Sequence, residues 1–119
     1  MKSLGEDYER QAIHWLEDHG IRLLVRNFRG KTGEIDIIAR DGAHLIFLEV
    51  RARSNRAFNT AAGSVDRRKQ QRIVRTAQLF LQRHPELAGL PCRFDVIAFE
   101  PRQSGSGLDI RWIPGAFTA

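Results

Sequence analysis

The sequence predicts an α/β fold, a mixed β-sheet with helices packed on it, in the order α-β-β-β-α-β-β. Three observations predict it. Leu4, Tyr8, Ala12, Trp15 and Leu16 recur at helical spacing near the N-terminus. Two apolar, β-branched runs flank Asp41-Gly42, a strong two-residue hairpin signal. A second apolar stripe runs Val65, Ile73, Ala77, Phe80.

The first helix is expected from Ser3 to about His19, with Gly20 as its C-terminal stop. Ile21 to Phe28 alternates loosely and is rich in β-formers, so it reads as a strand, and Gly30 to Gly33 as a turn. Glu34 to Ala39 and Ala43 to Val50 are the hairpin strands. Arg51 to Gly63 reads as a polar loop. Ser64 is the expected cap of a helix ending near Arg83, because His84-Pro85 cannot continue it. Cys92 to Phe99 and Leu108 to Ile113 are the last strands, joined by a Ser- and Gly-containing turn.

With 119 residues, 42% of them hydrophobic, the chain reads as one domain, 1–119, able to bury a core. No run approaches the ~20 apolar residues of a membrane span. Acids stand at Glu6-Asp7, where a signal peptide would need an apolar run. A cytoplasmic protein with no membrane partner is therefore expected. Cys92 is the single cysteine, which excludes an intrachain disulfide, and His14, His19, His44 and His84 have no zinc-ligand spacing.

The net charge is +5. Residues 51–75 carry more than that: Arg51, Arg53, Arg56, Arg67, Arg68, Lys69, Arg72 and Arg75 against Asp66 alone. The segment reads either as a solvated surface or as a nucleic-acid-binding one. The concentration of charge in one stretch favours the second, with Arg53, Arg56, Arg67, Arg68 and Arg72 as phosphate contacts.

Centring the hairpin on Asp41-Gly42 pairs Asp36 with Phe47 and Glu34 with Glu49. Glu34, Asp36 and Glu49 then share one face, with Asp36 and Glu49 as diagonal neighbours. Like charges on neighbouring strands repel. Among Ile35, Ile37, Ile46, Leu48 and Val50 they need a reason, and Mg²⁺, which takes one or two carboxylates and keeps several waters, supplies one. The alternative is a face simply turned to solvent. Two helical residues favour the metal: Glu9 at the edge of the first apolar stripe, and Lys69 within the second, between Val65 and Ile73.

The stretch Gly33-Glu34-Ile35-Asp36-Ile37-Ile38-Ala39, followed by Phe47-Leu48-Glu49-Val50-Arg51-Ala52-Arg53, resembles the PD-(D/E)XK nuclease motif. The whole chain resembles the uncharacterised YraN-like family, itself similar to archaeal Holliday-junction resolvases. That resemblance takes in Gly5 to Glu9 with Ala12, Arg26-Asn27, the hairpin, Phe58, Ser64-Val65 to Lys69, and Arg93-Phe94-Asp95-Val96. It implies a restriction-endonuclease-like fold and Mg²⁺- or Mn²⁺-dependent hydrolysis of DNA, branched or single-stranded DNA being the substrates considered. It matches Asp36 and Glu49 to the metal carboxylates and Glu9 to a first-helix Glu of the resolvases. Glu34 is a further metal ligand or a support for the others.

Arg51 stands where the motif has its catalytic Lys. An Arg cannot deprotonate, so it cannot act as a base, though it can hold a phosphate. Lys69 is then the candidate replacement ammonium. Asn59 replaces the Gly usual after Phe58. The rival expectation is a non-catalytic nucleic-acid-binding module on the same scaffold. Cutting both strands of a junction would favour a homodimer.

Overall fold

In a computed structural model of the chain, residues 4–52, 65–101 and 107–119 are described. Helix α1 spans Leu4–Asp18, and strands β1 (Arg22–Gly30), β2 (Gly33–Asp41) and β3 (His44–Ala52) follow. Helix α2 (Arg67–Arg83) and a 3₁₀ turn (Pro85–Leu87) lead to β4 (Cys92–Pro101) and β5 (Leu108–Phe117). The predicted element order is the observed one. The five strands form one mixed sheet in chain order β1-β2-β3-β4-β5. β3 and β4 are parallel and the other pairs antiparallel, because α2 carries the chain back between them.

Each helix covers one face. Ile73, Ala77 and Phe80 of α2 pack with Ile38, Leu45, Phe47, Phe94 and Val96. Ala12 and Leu16 of α1 pack with Ile37, Ala39, Ile46, Leu48 and Phe99. From Ile37 to Ala39 and from Leu45 to Leu48 successive residues thus go to opposite cores, so these strands are apolar throughout rather than alternating. No helix among the described residues is long and apolar enough to cross a membrane.

The hairpin register differs from the expected one. Asp41 pairs with His44 and Ile37 with Leu48, so the two-residue loop is Gly42-Ala43 rather than Asp41-Gly42. Gly42 has φ +59 while Ala43 keeps a negative φ, matching a type II′ turn, which wants glycine at its first central position. The shift moves the pairing by two residues, and an even shift keeps the alternation of faces; the exception is Ile35, which packs with Ile38 while Ile37 packs in the opposite core. Asp36 and Glu49 are therefore not diagonal neighbours; each lies one residue beyond the last ladder pair, Ile37 with Leu48. Glu34 is opposite Arg29 of β1, not Glu49.

Other boundaries move too. β3 runs through Arg51 to Ala52, because β4 pairs with it that far. Asp66, not Ser64, caps α2, its carboxylate accepting from Lys69 N at 2.8 Å. Ser64, like Arg53 and Arg56, lies outside the described residues. β5 continues past Ile113 to Phe117.

Candidate active site

Past Ile37 and Leu48 the sheet forks. β2 continues from Asp36 back to Gly33 paired only with β1, and β3 continues from Glu49 to Ala52 paired with β4. At the fork a side chain replaces the backbone partner: the Val50 amide donates to Asp36 Oδ2 at 2.8 Å. That bond satisfies an amide the ladder no longer reaches and fixes the Asp36 carboxylate toward Glu49.

Glu49 is buried, 5% exposed. Its Oε1 accepts from Lys69 Nζ at 2.6 Å, so the α2 ammonium predicted to lie on the buried stripe reaches into the fork. Its Oε2 is buried, and no donor among the described residues meets it. Burial pushes the Glu49 carboxyl up to about 7, the Asp36 charge adds to the rise, and Lys69 opposes it. Asp36 is raised as well, by burial first, with the Val50 amide and Lys69 opposing. Both carboxyls thus sit where their ionised forms lack enough compensation.

A second buried acid shows what full compensation looks like. Asp95 is completely buried, and its two oxygens accept from Arg93 (2.9 Å), Trp112 Nε1 (2.8 Å) and Gly115 N (2.8 Å). A structural buried acid is expected to be satisfied in this way. Glu49 Oε2 has no such donor among the described residues; what its carboxyl meets is that of Asp36.

Around the pair, Gly33, Glu34, Lys69, Arg72 and Ile73 complete a cavity of about 220 Å³. Glu34 is already engaged: Arg29 Nε lies 3.3 Å from its Oε2, and the Asn27 amide, turned to donate, lies 3.1 Å from its Oε1. The same amide reaches Glu9 Oε1 of α1 at 2.6 Å. Glu9 is raised by partial burial and by the Asp36 charge. Asn27 has φ +55, the left-handed region that Asn tolerates and most residues avoid. Its bridging role was missed from sequence, although an Asn inside a β-forming run is a signal of special backbone.

Arg51 lies two residues beyond Glu49 on β3 and its charge lowers the Glu49 pKa. Arg67 and Arg68 are exposed on α2. Arg67 lines a separate groove, against Phe117 and the C-terminal residues, rather than the carboxylate cavity.

Among the described residues no group of three or more His, Cys, Asp or Glu gathers as a metal cage. The donors present are two carboxylates, one with an orphaned oxygen. That set suits a hard ion that brings most of its own water, which is the coordination habit of Mg²⁺. Among the described residues lining the cavity there is no Cys or His for a thiolate- or imidazole-seeking metal.

The uncharacterised protein family UPF0102 matches residues 8–99. Among curated proteins, a UPF0102 protein of Alcanivorax borkumensis is 44% identical over 116 residues, covering 98% of this chain and 92% of its own. One of Stutzerimonas stutzeri is 45% identical over 116 residues, covering 98% and 95%. One of Methylobacillus flagellatus is 42% identical over 119 residues, covering both chains completely.

Proposed function

We propose that this chain, which belongs to the uncharacterised protein family UPF0102, is a Mg²⁺-dependent nuclease that hydrolyses DNA phosphodiesters in the fork between β2 and β3. The observation that carries the reading is the orphaned Oε2 of Glu49 beside the Asp36 carboxylate. A buried acid left without a donor is costly, and a cation shared with Asp36 removes that cost.

Asp36 and Glu49 would hold the ion, each oriented through one oxygen by a protein donor, the Val50 amide and the Lys69 ammonium. When bound, the ion supplies an acidified water and neutralises charge on the phosphate. The chain's own residues do the rest. Lys69 and Arg72, both on the cavity wall, place positive charge where the pentavalent phosphate gathers negative charge. Arg51, fixed in its cationic form, holds a phosphate oxygen and takes no proton. Asn27 keeps Glu9 and Glu34 turned toward the fork, so the local field stays negative enough to attract a divalent ion. Exposed Arg67 and Arg68 add phosphate contacts beyond the cavity. The exposed free thiol of Cys92 suits a reducing, cytoplasmic setting for this activity.

Arg51 in place of the motif's Lys favours a second reading, a module that binds nucleic acid without cutting it. The two separate in one assay. Duplex, single-stranded, flap and junction DNA are incubated with the protein in Mg²⁺ or Mn²⁺. Cleavage of at least one substrate, lost on chelation and in Asp36→Asn, supports the nuclease. Binding with no cleavage of any substrate in either metal establishes the module instead.

A further inference from the structure

The carboxylate cavity has a neighbour along α2. Beside it the β1–β2 turn and α2 enclose a groove of about 560 Å³, lined by Lys31, Thr32, Arg75, Leu79 and Arg83 among others. The two share no lining residue, and the contact of Thr32 with Thr76 stands between them, but their linings are neighbours in sequence on both walls. Lys31 and Thr32 line the groove, and the next residues, Gly33 and Glu34, line the cavity. Arg72 lines the cavity, and Arg75, one helical turn on, lines the groove.

The turn is held against α2 by close approach and by a hydrogen bond. Thr32 Oγ1 and Thr76 Oγ1 lie 2.7 Å apart. A Cβ on Gly30 would collide with Leu79 Cδ2, so glycine there is what lets the leucine seat against the turn. The groove therefore has a fixed, partly apolar floor. Its rim is cationic: Lys31, Arg75 and Arg83 are exposed, and Arg83 is further held over the Phe28 ring at 5.8 Å. None of the residues lining it is acidic, nor is any residue of α2.

We propose that this groove carries a single strand of DNA away from the Asp36–Glu49 site, with phosphates on Lys31, Arg75 and Arg83 and a base against Leu79. The assignment rests on the nuclease reading for where the strand begins. A paired duplex offers the protein phosphates and groove edges, and gains nothing from an apolar floor. An unpaired strand offers phosphates to the cationic rim and a base face to the apolar side chain of Leu79. From Arg72 to Arg83 the helix rises roughly 16 Å, enough for roughly five stacked nucleotides at about 3.4 Å each. The favoured substrate would then be a duplex with a single-stranded arm.

The test is fluorescence anisotropy with labelled hairpin DNA in EDTA, so that nothing is cut. The hairpins carry 3′ or 5′ thymidine overhangs from none to about eight nucleotides. Affinity should climb over roughly the first five nucleotides and then level, for one overhang polarity. Lys31→Ala with Arg83→Ala should weaken overhang binding about tenfold, leave blunt-hairpin binding unchanged, and leave the melting temperature and Mn²⁺ binding unchanged. Equal binding of blunt and overhung hairpins by the wild type overturns the inference. So does equal loss on both DNAs in the double variant, or binding of the same overhang only as RNA. An overhang preference that the variant abolishes, in a protein that cleaves nothing with Mg²⁺ or Mn²⁺, leaves the groove assignment standing and removes the nuclease reading.

Discussion

Lys69 Nζ lies 2.6 Å from Glu49 Oε1, while the other oxygen of that carboxylate, buried in the fork of the sheet, meets no donor among the described residues. One oxygen of the carboxylate is thus met by its own chain, and on the proposed reading the other is the one a cation would take.

Lys69 should matter more to cleavage than Arg51. Its ammonium touches Glu49 directly, and removing one preorganised charge from such a site typically costs ~10²–10³-fold in rate. Lys69→Ala should lower single-turnover cleavage by at least ~100-fold and leave DNA affinity nearly intact, since the arginines of α2 share the phosphate contacts. A Lys69→Ala protein that cuts at the wild-type rate would show that the ammonium serves packing alone.

Glu49 should make the metal-free protein less stable as pH rises. Its carboxyl titrates near 7 in the fold against an ordinary 4.5, chiefly because of burial and then the Asp36 charge. Between those values the folded chain holds a proton that the unfolded chain has lost. Stability therefore falls as pH rises through that window, and the loss is complete above about 7. At about 1.4 kcal/mol per unit the loss is on the order of 3 kcal/mol, and Asp36, shifted the same way, adds to it. Urea denaturation of wild type and Glu49→Gln at about pH 5 and about pH 8 should show a steeper fall in the wild type, restored by Mg²⁺. Parallel pH profiles would mean that Glu49 is already compensated.

Much of this site could be read before the structure, and the reasons are physical. Strand alternation survives an even register error, so Asp36 and Glu49 were placed on one face although the turn was misplaced by one residue and the pairing by two. Helix periodicity put Lys69 on the stripe that ends in Ile73, Ala77 and Phe80, and its ammonium does reach Glu49. The fork itself was not legible. It arises where β2 and β3 each keep an outer partner but lose each other, and no residue of either strand encodes that alone. The engagement of Glu34 by Arg29 and Asn27 was equally hidden, because it depends on β1 pairing and on the left-handed backbone at Asn27.

Asn27 separates backbone from side-chain effects. Asn27→Gly keeps the φ of +55 without strain but removes the donor between Glu9 and Glu34. Asn27→Asp tolerates the same backbone but adds a third carboxylate. We expect a cost of about 1 kcal/mol for Gly and about 2–3 kcal/mol for Asp in chemical denaturation. An Asp variant as stable as the wild type would show that the amide does not bridge the two acids.

The exposed arginines of α2 should act through phosphates. Arg67→Ala, Arg68→Ala and Arg72→Ala together should weaken binding alike across DNA sequences. They should also flatten the plot of log affinity against log salt by about 0.9 for each lost contact. An unchanged slope would make the basic face of α2 a solvated surface.

Asp36 and Glu49 together should bind one divalent cation. Mn²⁺ titration followed by electron paramagnetic resonance tests it without DNA or turnover. One Mn²⁺ should bind per wild-type chain, compete with Mg²⁺, and bind at least ~10-fold more weakly, about 1.4 kcal/mol, in both Asp36→Asn and Glu49→Gln. A wild-type chain that binds no Mn²⁺, or variants that bind it as tightly as the wild type, would show that the two carboxylates do not form a cation site.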